Sequence, residues 1–284
     1  ADGTTFSRII GSGTVGAGGD LLVTTFIVPE IPGGAYTIRV ETFGAVGESR
    51  TGTFTITPQI ELGDTSGFVG DEVLIEDGTG FAANSDITIY FINEEVGTAE
   101  TDANGSFTDA VFIVPESYNG SHTVKVQDNV GNYDTASFST KQSIAITPVT
   151  GSSADEVTVS GTGFKARKAI TITFGDLAVA TSPPSVTTDD YGSFSAVFLV
   201  PVIVNGIYKA EAYDGTNKAS VNFTVMAGAT IGQTRGHVGS EITVSGTGFI
   251  VGAKVTIRYD GEEIATTTPD SNGSFSATFE APPS

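Results

Sequence analysis

The sequence repeats itself, and a chain that does so is committed to folding one unit several times over. The string Gly-Thr-Gly-Phe begins at Gly78, Gly161 and Gly246, at intervals of 83 and 85. Gly-Ser-Phe ends at Phe107, Phe194 and Phe275, at intervals of 87 and 81. A proline closing an apolar run falls at Pro29, Pro115, Pro201 and Pro282, at intervals of 86, 86 and 81. Three independent markers agree on a unit of about 84 residues, so the chain is a tandem array. The markers predict a partial unit over 1–56, two full units over 57–141 and 142–225, and a partial unit over 226–284.

Each unit reads as β. VTVSGTGF (157–164) and ITVSGTGF (242–249) alternate apolar and polar residues, the period of a half-buried strand, and ITIYF (87–91), ITITF (170–174) and VTIRY (255–259) do the same. LLVTTFIVP, FTDAVFIVP and FSAVFLVP predict a strand stopped by proline, which cannot continue a ladder. GAYTIRV, GSHTVKV and GIYKAEA, with TGTFTI, TASFST and ASVNFTV, complete the set, and no segment carries a helical apolar stripe.

About seven short strands in such a unit predict an all-β fold of tandem immunoglobulin-like β-sandwiches. With neither Cys nor Trp in the chain, aliphatic and Phe packing must hold the sheets together. The run ITPVTGSSADEVTVSGTGFKARKAITITF (146–174) resembles the start of the IPT/TIG-type Ig-like domains of prokaryotic surface proteins. The likeness is fullest over 142–225 and nearly as full over 57–141. It implies a modular extracellular protein: an S-layer-like protein, an adhesin or a filament. Such a motif specifies fold better than function.

Composition narrows the partners. Thirteen Lys and Arg against 33 Asp and Glu give a formal charge of −20, which excludes nucleic acid and anionic membranes as main partners. No apolar run approaches a membrane span, so no direct membrane insertion is expected. The opening ADGTTFS lacks the basic and apolar regions of a signal peptide. The absence of cysteine removes thiolate chemistry, and no G-x-S-x-G, H-E-x-x-H or P-loop occurs. An enzyme is not expected. His122 reads as an exposed strand position and His237 as a loop residue without a readable partner.

The terminal units point to a partner. Aligning Pro29 with Pro282 leaves the first unit without opening strands and the last without closing strands. Two readings follow: a stretch of a longer array, or self-association in which strands 33–56 of one copy complete the last unit of the next. The second reading must find another place for the leader 1–19. Either way the expected role is structural, in an S-layer-like lattice or filament at the cell surface, with an adhesin stalk or carbohydrate-binding accessory region as the alternative.

Charge falls unevenly: 57–141 holds 15 acids and 2 bases, 142–225 holds 7 and 5. After Gly-Thr-Gly-Phe the acidic unit has AANSD (82–86) and the next has KARKA (165–169), making Lys165, Arg167 and Lys168 candidate subunit contacts. Calcium is the cofactor such acidity suggests. The turns TDANGSF, TDDYGSF and PDSNGSF offer Asp102, Asp189, Asp190 and Asp270, and the strand starts offer Asp71, Glu72, Asp155, Glu156 and Glu241. Asp and Asn before Gly also serve a tight turn by themselves. Four sequons, at Asn104, Asn119, Asn222 and Asn272, are candidate N-glycosylation sites.

Overall fold

The computed structural model describes residues 9–19, 25–42 and 47–283. Among them no helix forms, so none is long and apolar enough to cross a membrane. The chain groups into two compact units. One comprises residues up to Gly63 with Val73–Phe112 and Thr123–Ala136; the other comprises Asp64–Glu72, Ile113–His122 and the chain from Ser137 onward.

The second unit shows the sandwich most fully. One sheet orders Ser143–Thr147, Glu156–Thr162, Phe194–Leu199 and Thr181–Ser182. The other orders Thr150–Gly151, Lys218–Val225, Gly206–Tyr213, Ala169–Phe174 and Leu177–Ala178. Within these two sheets the ladders are antiparallel except that of Thr150–Gly151, which runs parallel to Thr224 and Val225. Alternation sends Val157, Val159, Ile172, Phe174, Phe198 and Phe223 between the sheets, each no more than 4% exposed. Phe174 is the hub, with ring centroids 5.7 Å from Phe198, 5.5 Å from Phe223 and 5.7 Å from Tyr208. Burying one such ring contributes about 1.5–3 kcal/mol, which supplies what the missing disulfide does not. This is an immunoglobulin-like β-sandwich.

The first unit repeats the scheme. Gln59–Leu62, Glu72–Thr79 and Phe107–Ile113 form one sheet, and Asp86–Phe91 pairs with Glu94–Glu100 on one side and Gly120–Asp128 on the other. Val73, Ile75, Ile87, Ile89, Val124 and Val126 are buried, with Phe91 and Phe112 6.1 Å apart. Gly34–Glu41 and Ser49–Ile56 form a separate two-stranded hairpin.

One strand expectation fails. Of LLVTTFIVP, residues 25–29 carry no strand, and 21–24 lie outside the described residues. Its counterpart Phe194–Leu199 pairs with Glu156–Thr162, whereas among the described residues no strand pairs with 25–29.

Candidate functional site

The two glycine motifs, some 25 residues apart in sequence, meet in space. Phe81, Phe164 and Phe249 of Gly-Thr-Gly-Phe pack on Phe107, Phe194 and Phe275 of Gly-Ser-Phe, with centroids 5.7, 5.4 and 4.9 Å apart. The first Gly of each motif (Gly78, Gly161, Gly246) lies flat under the second Phe, where a Cβ would collide with the ring. The turn Gly (Gly105, Gly192, Gly273) has φ of +75°, +77° and +72° and abuts the carbonyl of the first Phe. Its own carbonyl accepts that Phe's N–H at 3.0, 3.1 and 2.9 Å.

Each clasp also receives the chain preceding it. The second Gly (Gly80, Gly163, Gly248) would, with a Cβ, strike the carbonyl of Thr57, Lys141 or Met226 in the connecting segment. From the loop after each closing proline, Gly33 N donates to Phe81 O at 2.8 Å, Asn119 N to Phe164 O at 2.9 Å and Asn205 N to Gly248 O at 3.0 Å. Turn, connector and loop therefore converge on one backbone at three corresponding joints, the third with its acceptor one residue earlier in the motif.

The loop behind each joint is pinned by a corner residue. Tyr36 Oη donates to Pro32 O at 2.7 Å, and Tyr208 Oη to Val204 O at 3.0 Å. This resembles the tyrosine corner of immunoglobulin sandwiches. At the middle position His122 Nε2 lies 2.7 Å from Tyr118 O, and since a carbonyl only accepts, Nε2 carries the proton. His122 is 5% exposed, which corrects its reading as an exposed strand position: it shares the inward parity of Val124 and Val126. His237 is exposed, its N–H on Ser240 Oγ at 2.9 Å.

The candidate calcium ligands are turn acceptors. Asp102 Oδ1 accepts Asn104 N (2.8 Å) and Ser106 N (3.0 Å), Asp189 Oδ1 accepts Tyr191 N (2.9 Å) and Ser193 N (2.8 Å), and Asp270 Oδ1 accepts Asn272 N (2.8 Å) and Ser274 N (2.9 Å). The hydrogen bond from Ser106 N, ahead of the others, holds the Asp102 carboxyl below its ordinary range. Asp71 Oδ2 accepts Phe68 N at 2.8 Å and Asp155 Oδ2 accepts Ser152 N at 2.7 Å, while Glu72, Glu156 and Glu241 are exposed strand starts. Among the described residues no three His, Cys, Asp or Glu side chains are grouped so as to hold a metal ion.

The basic loop bonds locally at the surface, with Arg167 and Lys168 exposed. Arg167 pairs with Asp190 through two hydrogen bonds, Nη2 to Oδ2 measuring 2.9 Å; the bond raises the Arg167 value and lowers that of Asp190. Lys165 Nζ donates to Thr216 Oγ1 at 3.0 Å, and Lys168 N donates to Thr188 Oγ1 at 2.8 Å. Of the sequons, Asn104, Asn222 and Asn272 are exposed. Asn119 sits in the middle joint, its amide donating to Thr140 O at 3.2 Å and Gln142 Oε1 at 3.0 Å. A glycan on Asn119 would have to break one of these.

Two residues escaped sequence reasoning. Asp128 and Asp214, 4% and 5% exposed, sit at equivalent hairpin ends. Asp128 accepts from Val130 N, Asn132 N, Asn132 Nδ2 and Ala82 N at 2.7–3.1 Å. Asp214 accepts from Thr216 N, Asn217 N, Asn217 Nδ2 and Lys165 N at 2.6–2.9 Å. Ala82 and Lys165 directly follow the Gly-Thr-Gly-Phe motifs, so each carboxylate ties a hairpin to a clasp. Burial pushes the Asp214 value up, but the hydrogen bonds, led by Asn217 N, outweigh it and leave it lowered. The readable signal was their spacing, equal to that between Pro115 and Pro201.

A scan against family models finds no match, and a search of curated proteins finds none either. Among solved structures the chain is similar to a tetra-tandem repeat in the extending region of a large adhesion protein, at 17% identity over 93% of this chain and 78% of that one, TM-score 0.30. It is similar to the Yersinia pseudotuberculosis adhesin InvE at 13% identity over 59% of this chain and 58% of that one, TM-score 0.28. It is also similar to the D0–D1 domain of intimin at 16% identity over 58% and 97%, TM-score 0.23. Likeness at these scores says nothing of what the present chain does.

Proposed function

We propose that the chain is a spacer: a stalk-like run of Ig-like units of the IPT/TIG type in a surface-exposed, extracellular protein, with no catalytic role. The carrying observation is the joint made three times over, at Gly33–Phe81, Asn119–Phe164 and Asn205–Gly248. A spacer has to fix the distance between successive units, and backbone hydrogen bonds around a glycine clasp do so with little freedom for side-chain rearrangement. The cysteine-free, acidic composition supports a solvated role. The four units, bounded at 56/57, 141/142 and 225/226, are part of this reading. So is the view that the acidic turns act as turns and do not need calcium.

Negative-stain electron microscopy of the purified chain, across a salt series and with and without millimolar calcium, tests it. The spacer reading predicts a unit-to-unit spacing unchanged under every condition. A spacing that changes with calcium, or ordered two-dimensional sheets, overturns it in favour of a metal-dependent array or an S-layer-like lattice.

A further inference from the structure

The opening segment of 142–225 is split between its two sheets. Ser143–Thr147 pairs antiparallel with Glu156–Thr162, and Thr150–Gly151 crosses over to run parallel to Thr224 and Val225. Entering and leaving chain therefore lie side by side and point the same way. Thr224 N donates to Val149 O at 3.0 Å and Met226 N to Gly151 O at 2.8 Å. The entering segment is itself anchored. Gly151 lies against Phe223, where a Cβ would stand 3.2 Å from Cζ, and Asp155 Oδ2 accepts Ser152 N at 2.7 Å. The arrangement recurs where Ser66–Phe68 runs parallel to Ser139–Lys141. There Ser139 N donates to Thr65 O at 2.8 Å, Gly67 lies against Phe138, and Asp71 Oδ2 accepts Phe68 N at 2.8 Å.

Direction decides what such a pair does under load. When the two ends of an antiparallel hairpin are drawn apart, its hydrogen bonds fail one after another. When the chain is pulled on both sides of a parallel pair, the pulls oppose each other along the common strand axis, and every bond is loaded together. The leaving segment also runs straight into the next clasp. Met226 gives its N–H to Gly151 O, and its own carbonyl abuts Gly248, where a Cβ would lie 2.8 Å away. Lys141 ends the other pair opposite Phe68, and its carbonyl abuts Gly163. No slack residue separates pair from clasp. We propose that the chain bears tension, with the two parallel pairs as load clamps and with Lys141 and Met226 passing the load from clamp to clasp. This rests on the spacer reading and adds what spacing alone does not require: a resistance that depends on the direction of pull.

The test is single-molecule force spectroscopy on the whole 284-residue chain, which has no cysteine of its own to compete for attachment. Held by cysteines added before Ala1 and after Ser284, 142–225 is expected to give a long-lived unfolding event. A second chain is held by Lys209→Cys and Asn222→Cys, exposed register partners on neighbouring antiparallel strands. It is expected to open at least about tenfold faster at equal force, because its bonds fail in succession. Met226→Pro, just beyond the strand, deletes one clamp donor. It is expected to shorten the end-to-end lifetime of that unit about tenfold, while its urea midpoint falls only by the worth of one hydrogen bond. Equal lifetimes in the two directions overturn the proposal, as does a Met226→Pro chain that resists end-to-end load as well as the wild type. If Met226→Pro unfolds the unit outright, the two directions decide alone. The spacer reading survives either contradiction, because it is tested by the spacing of the unloaded chain.

Discussion

Residues 57–141 and 142–225 share a frame and differ at almost every exposed feature. In 142–225 the edge of Phe194–Leu199 is covered by Thr181–Ser182, paired at Phe198 and Val197. In 57–141 the corresponding strand Phe107–Ile113 is the last of its sheet among the described residues. It also carries one extra residue, Asp109, at φ +57°, a left-handed conformation an Asp adopts at some cost. Beside it runs a groove of about 670 Å³ flanked by Glu30, Glu100, Asp102 and Asp109. The acidic AANSD loop answers KARKA, and His122 answers Tyr208. The clasp, the Asp128/Asp214 tether and the joint are the same in both. At the clasp glycines a Cβ would strike a ring or a carbonyl, which fixes those positions, whereas the sheet edge and the surface loops carry no such constraint.

That division can be broken from the inside first. Phe164→Ala should cost about 3–5 kcal/mol in urea unfolding, because a fully buried ring loses its partner Phe194 and leaves a cavity at the joint. Phe81→Ala should cost as much in the acidic unit; a large difference between the two would mean the frames are not equivalent.

Next come the tethers. Asp214→Ala strands three backbone N–H groups and should cost about 2–4 kcal/mol. Because the folded-state value of Asp214 is lowered, its stabilisation is complete above the ordinary carboxylate value and disappears as pH falls through the folded one. Acid titration of the wild type should show that loss, and Asp214→Asn should flatten it. A wild-type curve no steeper than that of the variant would refute the tether.

The divergent features should matter less. Asp109→Gly relieves the left-handed strain and should stabilise the acidic unit by about 1 kcal/mol; a loss on the same scale would show that the Asp side chain has a structural role. Arg167→Ala removes an exposed pair and should leave the melting temperature unchanged within error. A measurable drop would move the basic loop from the free flank into the frame.

The repeat period, nearly every strand and the sandwich class were legible because alternation and turn residues are local signals. The join between Gly-Thr-Gly-Phe and Gly-Ser-Phe was not, since neither string says which distant segment its flat glycine will lie against. Asp102, Asp189 and Asp270 could be read as metal ligands or turn residues, and backbone hydrogen bonding favours the turn. Asp128 and Asp214 look like ordinary hairpin acids until burial shows four donors converging on each. His122 was misread although its parity with Val124 and Val126 placed it inward; polarity was weighed above period. Of the strand expected over 21–29, residues 25–29 carry none, because alternation shows what a strand could bury and not whether another strand lies beside it.

The joints can be tested most directly by native-state hydrogen exchange at Gly33, Asn119 and Asn205. All three amides lie in loops outside any strand and would exchange quickly if the loops were free. The clasp account predicts protection comparable to that of the Phe81, Phe164 and Phe249 amides, which belong to the same clasps. Loop-like exchange at all three, with the clasp phenylalanines still protected, would show that the units fold as described but are not joined as described.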